Sequence, residues 1–306
     1  MASEKQEKRT FVCEGDNGTT TEMTFDEVRA HAEKGDTGAM YALGLAYLYG
    51  MEVERDEDKG YDYLRKAADL GNPEAMTELV ALYLNGDYLD MDAETAEKFL
   101  DQGVEAGIPD ALYIRGSRYL SGIGVSINYA KANKDLAAAA RKGHLLARTK
   151  LGMMYEFALS VDKDVKKAFS LYNYSAENGE PTALLYAGHC YEEGIGVEKD
   201  LQKAIEYFEK GAEQQNPYCA ERLSVIYFNG DGGIERDPKK GFEYATLAAN
   251  LGIPTSMYLV GVAYACGDGT EKNLDEARKW LSLAAESDVP EAEQALKELD
   301  GAKDLN

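Results

Sequence analysis

The chain contains few of the residues that usually build disulfides and metal sites. Its 306 residues include three histidines and four cysteines, Cys13, Cys190, Cys219 and Cys266. The cysteines form no CxxC pair, which favours a reduced, cytoplasmic protein. No apolar run approaches the roughly 18 residues that span a bilayer, and residues 1–18 contain no apolar signal segment. The composition therefore predicts neither a secreted disulfide scaffold nor a membrane protein.

Basic residues are also scarce. The chain has 33 lysines and arginines against 55 acidic residues, which gives a formal net charge of −22. Nucleic acids and anionic membranes require a basic face, so neither is an expected partner. The acidic excess indicates a soluble, self-repelling surface. An alternative interpretation is a surface that binds a large basic partner.

Catalytic motifs are nearly absent from the sequence. It has no Walker loop, no G-x-S-x-G and no dinucleotide-binding fingerprint. Ser160 and Lys163 fit the S-x-x-K pattern of β-lactamase-type nucleophiles, but they stand between two predicted helices without the companion motifs. Residues 229–235 resemble a calcium loop but lack its alternating acidic residues. We therefore predict no catalytic residue, no metal and no cofactor.

The sequence consists largely of internal repeats. Seven copies of one unit follow each other at a spacing of 36 residues, with a single step of 37, and begin at residues 35, 71, 107, 143, 179, 215 and 252. The fifth residue of a copy is small, the ninth is usually aliphatic and the tenth is usually glycine. These positions share one face of a first helix, helix A. The thirteenth residue is always tyrosine: Tyr47, Tyr83, Tyr119, Tyr155, Tyr191, Tyr227 and Tyr264.

Each copy then turns into a second helix, helix B. Glycine inside helix A costs about 0.5–1 kcal/mol relative to alanine, so its recurrence predicts a close approach of two helices. The opening glycine of each copy suits a left-handed helix C-cap. An Asp or Asn ends every inter-helix loop and is expected to cap helix B: Asp56, Asp92, Asn128, Asp164, Asp200, Asp237 and Asn273.

The period also predicts the domain organisation. A solenoid grows in one dimension and needs capping elements at its ends. We expect a single solenoid over residues 24–300, with caps at 24–34 and 288–300, a flexible segment at 1–23 and a tail at 301–306. A monomer is favoured.

The pattern resembles the Sel1-like repeat. Ala-x3-Leu-Gly-x2-Tyr, then Gly-x-Gly-Val-x2-Asp and Lys-Ala-x2-aromatic, recur over residues 35–287. The resemblance implies an all-α fold, a right-handed α/α superhelical solenoid of seven helix-turn-helix repeats related to the tetratricopeptide repeat. It also implies a non-enzymatic adaptor or scaffold that binds a protein or peptide partner in a concave groove.

The third copy departs from the pattern at two positions. Arg115 stands where its sister copies have an aliphatic residue, and Asp135 stands where they have a bulky one. An unpaired buried charge is very costly. One hypothesis is therefore an Arg115–Asp135 ion pair inside the third hairpin. The other is that Arg115 turns into the groove and clamps a carboxylate of a partner.

In related tetratricopeptide solenoids, helix A lines the concave face. Carried over to this chain, that face would bind the partner, and basic residues of helix A occur only in copies three, four and six. This distribution suggests a partner with acidic or C-terminal carboxylate groups. Tyrosine and arginine are frequent interface anchors. The predicted partner-binding residues are Tyr41, Leu45, Tyr113, Arg115, Arg118, Lys150, Tyr186, His189, Arg222 and Tyr258.

Two other functions stay open. An inhibitor or immunity-type protein would mask a basic partner with its acidic surface instead of using the groove. A β-lactam-binding or hydrolase-like member would depend on Ser160, although the cysteine-rich members proposed for that activity carry a regular cysteine pair per repeat, which this chain lacks.

Overall fold

The structure is a computed structural model that describes residues 11–14, 20–87 and 91–301. Its contacts divide the chain into two compact units, one ending at His144 and one beginning at Leu145. The prediction of a single domain over residues 24–300 stays a prediction. None of the described helices is both long and apolar enough to span a bilayer.

The first unit contains a two-stranded hairpin and seven helices in its described part. The helices after the first form consecutive antiparallel pairs, each an A helix followed by a B helix. The elements are β1 (Phe11–Glu14), β2 (Thr20–Met23), α1 (Phe25–Ala32), α2 (Thr37–Tyr49), α3 (Glu57–Asp69), α4 (Pro73–Asn85), α5 (Ala93–Glu105), α6 (Pro109–Ser121) and α7 (Tyr129–Arg141).

The second unit continues the same alternation and closes on an additional helix. One 3-10 turn, Asp231–Gly233, lies where the sequence has its extra residue. The helices of the described part are α8 (Leu145–Glu156), α9 (Val165–Glu177), α10 (Pro181–Glu193), α11 (Leu201–Glu213), α12 (Pro217–Asn229), α13 (Pro238–Asn250), α14 (Pro254–Cys266), α15 (Leu274–Glu286) and α16 (Pro290–Gly301). The described chain is therefore an all-α repeat protein apart from the hairpin.

The predicted caps of the B helices are present in every copy. Each Asp or Asn accepts a hydrogen bond at its Oδ1 from the backbone N–H three residues later, at 2.7–3.1 Å. Such a cap contributes about 1 kcal/mol by satisfying an N–H group of the first helical turn. Local chemistry therefore fixes where each B helix begins.

The opening residues of the copies adopt the left-handed conformation that was predicted. All six opening glycines have φ between 74° and 97°. Gln215, which opens the sixth copy, has a φ of 59° despite its side chain. A left-handed conformation is unfavourable for a residue with a Cβ, so Gln215 stores strain that glycine would not.

The glycines within the A helices lie directly against their B helices. A Cβ on Gly188 would lie 2.5 Å from the Phe208 ring, and one on Gly44 would lie 2.8 Å from the Leu64 side chain. The predicted close approach is thus present inside each of these hairpins. The sequence pattern has a bulky residue in helix B at the position of Asp135 and Tyr207. The fully buried side chain of helix B, however, is that of the next residue. Leu64, Leu136 and Phe208 are inaccessible, whereas Tyr207 is partly exposed.

Six of the seven repeated tyrosines are half-buried, and Tyr227 is buried. Tyr191 stacks on Tyr207 of helix B with ring centroids 5.6 Å apart, and Lys203 lies 5.3 Å from the centre of the Tyr191 ring. The backbone N–H of Lys203 also donates the hydrogen bond to the capping residue Asp200. Equivalent lysine–tyrosine contacts occur at Lys59–Tyr47, Lys131–Tyr119, Lys167–Tyr155 and Lys240–Tyr227.

Part of the segment predicted as flexible, residues 11–14 and 20–23, forms a β-hairpin. Strands β1 and β2 pair antiparallel, with Phe11 opposite Met23. The ring of Phe11 lies 6.2 Å from that of Phe25, and Met23 joins Val28 in a buried cluster. Packing of these apolar side chains stabilises the hairpin. The rest of the predicted flexible segment and the tail at 302–306 lie outside the described residues.

Candidate functional site

Arg115 and Asp135 form the predicted ion pair. Arg115 Nε donates to Asp135 Oδ2 at 2.8 Å and Nη2 donates to Oδ1 at 3.1 Å, a bidentate arrangement. Nη1 of the same guanidinium reaches Asp101 Oδ1 at 3.3 Å. The Asp135 carboxylate raises the pKa of Arg115, which is already fully protonated at any physiological pH. The geometry favours a structural role over the alternative of a clamp for a partner carboxylate.

The other two predicted arginines are also paired within the chain. Arg118 donates to Glu97 and to the carbonyl oxygen of Ile123. Arg222 donates to Glu192 from the neighbouring A helix. The guanidinium groups expected to attract an acidic partner therefore already have carboxylate partners of their own.

The predicted aromatic and aliphatic residues are partly buried. Tyr113 stacks on His144 with ring centroids 4.5 Å apart, and Tyr186 stacks on Tyr172 at 5.0 Å. Burial raises the pKa of Tyr186. Tyr41, Leu45 and Tyr258 pack with part of their surface against buried clusters. Lys150 is half-buried, and this desolvation lowers the pKa of its amine.

Within the second unit, the structure brings two predicted residues together. His189 Nδ1 lies 3.7 Å from Glu192 Oε2, and Arg222 contacts the other oxygen of the same carboxylate. Glu192 is buried, with 9% of its side chain accessible. These contacts link α10 and α12. Glu192 was not predicted, although it stands at the fourteenth position of its copy, which is apolar in five of the seven copies.

An apolar groove lies between α12 and α14. We call it the α12–α14 groove. It has a volume of about 470 Å³. Arg236 and Asp268 belong to its lining and form an ion pair with 2.6 Å between Nη2 and Oδ2. Its other lining residues are Val225, Phe228, Asn229, Leu259, Val262, Ala263 and Cys266. None of them was predicted, although Val225 and Val262 occupy the same eleventh position of a copy as His189 and Leu45.

The loop serine of the hydrolase hypothesis is exposed. Ser160 has a φ of 62°, in the left-handed region that Gly124 and Gly196 occupy in sister copies. Ala158, which replaces a loop glycine, has a φ of 56°. The backbone of Ser160 thus matches that of the equivalent residues in the loops of sister copies.

Comparison with known proteins agrees with the repeat geometry. The family model described as "Sel1 repeat" matches residues 37–72, 109–144, 145–180, 181–216, 217–253 and 254–289. The chain belongs to the Sel1 repeat family. The second copy is not matched, yet α4 and α5 form the same hairpin there with the same cap at Asp92. A comparison with curated proteins finds no match.

Solved structures show the same fold. A protective antigen of uropathogenic Escherichia coli with an SLR fold is 30% identical at a TM-score of 0.64, covering 89% of this chain and 58% of that one. This chain thus spans little more than half of that antigen. A Sel1 repeat protein from Oxalobacter formigenes is 26% identical at a TM-score of 0.71, covering 90% and 80%. An immunity protein of Pseudomonas aeruginosa, 22% identical at a TM-score of 0.51 with coverage of 70% and 81%, shares the fold alone.

Proposed function

We propose that this Sel1 repeat protein is a non-enzymatic interaction scaffold whose α12–α14 groove receives an apolar side chain of a protein partner. Sel1 repeat proteins are typically scaffolds for protein interactions. The observation that carries the proposal is the groove itself. Apolar residues from two successive A helices line it. Two of them, Val225 and Val262, occupy the same position of a copy as Leu45 and His189, which the tetratricopeptide analogy assigns to partner binding.

The groove has the composition of an interface anchor site. Interface hot spots are well-packed apolar pockets surrounded by polar groups that exclude water. Val225, Leu259 and Val262 supply the apolar walls, and Arg236 and Asp268 supply a polar rim. Such a groove would accept a leucine, methionine or aromatic side chain from an extended or helical segment.

An acidic partner segment has less support. Its recognition would depend on Arg115, Arg118 and Arg222, and each of these already pairs with a carboxylate of the chain. A partner carboxylate would have to displace an intramolecular one, which brings little net gain. The apolar groove requires no such exchange.

The experiment is a selection of displayed peptides on the full chain. We expect enriched peptides to share an apolar anchor residue, and their affinity to fall at least tenfold in Val225→Asp and in Cys266→Asp. Leu283→Asp is the matched control, because Leu283 is exposed to 39% on the B helix α15. Peptides that bind all three variants equally, in proteins with unchanged thermal unfolding, would remove the groove from the proposal.

The inhibitor alternative rests on the net charge of −22. It requires a basic partner held by surface carboxylates, so its affinity would fall steeply as salt is raised. The affinity of a peptide bound in the apolar groove would change little over the same range of salt concentration. Enrichment of lysine-rich and arginine-rich peptides with strong salt dependence would favour this alternative.

A further inference from the structure

Three side chains that are able to hold a metal converge on one face of α10. His189, Glu192 and Glu193 each offer one ligand atom, and these atoms all lie within 4.8 Å of one another. Their spacing of three and four residues places them on the same face of the helix. His189 and Glu193 are exposed, and Glu192 is buried beside them.

The buried carboxylate supplies an independent observation. Glu192 Oε1 accepts a hydrogen bond from Arg222, whereas Glu192 Oε2 is buried and has no hydrogen-bond partner. Only 9% of this side chain is accessible. Buried carboxylate oxygens normally have partners, because burial removes them from water. Oε2 is therefore an available ligand atom held in place by the guanidinium on the opposite oxygen.

The spacing between Oε2 and the histidine suits a shared metal ion. His189 Nδ1 lies 3.7 Å from Glu192 Oε2, which is longer than a hydrogen bond. Zinc binds histidine nitrogen at about 2.0–2.1 Å and carboxylate oxygen at about 2.0–2.2 Å, so two such ligands in tetrahedral geometry stand about 3.3–3.5 Å apart. A small adjustment of the histidine would bring both atoms to this distance. Glu193 is exposed and is able to rotate towards them.

The charges around the cluster favour a cation. The carboxylates of Glu192 and Glu193 lie beside the imidazole of His189, against the single guanidinium of Arg222. An imidazole with carboxylates is a donor set for zinc, copper and nickel, whereas calcium and magnesium take oxygen ligands.

We propose that His189, Glu192 and Glu193 bind one divalent transition-metal ion of the zinc class. This site is independent of the α12–α14 groove and stands whether or not the groove binds a peptide. The sequence prediction of no metal rested on the scarcity of histidine and cysteine and on the lack of a calcium-loop pattern, neither of which tests one histidine with two glutamates. The arginine that balances Glu192 comes from the next repeat, which no spacing within one copy would reveal.

The test is a titration of the full chain with Zn²⁺ by calorimetry and with Co²⁺ by visible absorption. Cys13→Ser with Cys266→Ser is the background, so that no thiolate band arises from Cys266, the exposed cysteine of the described chain. We expect one equivalent of metal to bind. Affinity should fall at least tenfold in His189→Ala and in Glu193→Gln, an exposed isosteric change that leaves folding intact.

His31→Ala is the matched control. His31 is an exposed histidine of the first unit whose Nδ1 lies 3.7 Å from Asp36 Oδ2, so it reproduces one histidine–carboxylate contact without the third ligand or the buried oxygen. Its loss should leave the affinity unchanged. Absence of Zn²⁺ binding in the parent chain, or binding that survives both His189→Ala and Glu193→Gln, would overturn the proposal.

Discussion

Arg115 and Asp135 join α6 to α7 through two parallel hydrogen bonds, at 2.8 and 3.1 Å, in a hairpin whose sister copies use apolar contacts at these positions. The carboxylate of Asp135 is nearly inaccessible, at 4%, and the Arg115 side chain is 27% accessible. A buried pair of this kind offsets the desolvation of both groups only while both are present. The stability of the third hairpin therefore depends on Arg115 and Asp135 together.

Replacing one partner of this pair is expected to be costly. Arg115→Leu would leave Asp135 buried without its counter-ion and lower the free energy of unfolding by about 3–5 kcal/mol. Arg115→Leu with Asp135→Phe reproduces the buried Leu79 and Phe99 of the second copy and should restore the stability of the parent chain. Chemical denaturation of the single and double variants measures the difference. Additive losses in the double variant would contradict the ion-pair interpretation.

A second prediction concerns the strained residue between the fifth and sixth copies. Gln215 has a φ of 59° and is exposed, so Gln215→Gly should raise the free energy of unfolding by about 0.5–1 kcal/mol. The control is Gln214→Gly, because Gln214 has a φ of −87° and glycine there only adds freedom to the unfolded chain. That control should be destabilising. Equal shifts of the two variants in thermal unfolding would refute the argument from backbone strain.

A third prediction separates steric contact from backbone strain in the repeat loops. A Cβ on Gly196 would lie 2.1 Å from the carbonyl oxygen of Val165, whereas one on Gly143 would have no atom within 4 Å. Both glycines have positive φ, at 72° and 96°. Gly196→Ala should therefore be less stable than Gly143→Ala by about 1–3 kcal/mol, because backbone has to move. Similar midpoints in denaturant would show that the loop is not packed on α9.

A fourth prediction concerns thiol reactivity. Cys190 and Cys219 are buried, and this burial raises the pKa of each thiol to about 12. Cys266 is exposed in the α12–α14 groove. Reactivity follows the accessible thiolate, so a Cys13→Ser variant at pH 8 should react rapidly with an aromatic disulfide reagent at Cys266 alone.

Denaturant should expose the remaining two thiols of that variant. A peptide selected for the α12–α14 groove should slow the native reaction at Cys266, which connects thiol chemistry to the proposed function. Rapid native modification of Cys190 or Cys219, located by mass spectrometry of the digested chain, would show that the helix pairs open more readily than their burial indicates.

The repeat period determined the secondary structure, because the signals that set it are local. Asp200 accepts a hydrogen bond from the N–H three residues later, and Gly179 adopts the left-handed conformation that ends one helix before the next begins. Each depends on neighbours within a few residues, so a spacing in sequence is sufficient to locate it. The hairpin of Phe11–Glu14 with Thr20–Met23 lies outside the repeats, and it depends on packing against Phe25 and Val28, which no spacing reveals.

The candidate sites were decided by tertiary structure. Their properties depend on which side chains of different helices approach each other. Sequence marked Arg222 and His189 as candidate partner-binding residues, but only the fold placed Glu192 between them, with Arg222 on Oε1 and His189 3.7 Å from Oε2. The pairing of Arg115 with Asp135 was deducible because both occupied apolar positions of one hairpin. The groove between α12 and α14 was not, since ordinary valines and leucines acquire binding capacity only where neighbouring repeats leave space between them.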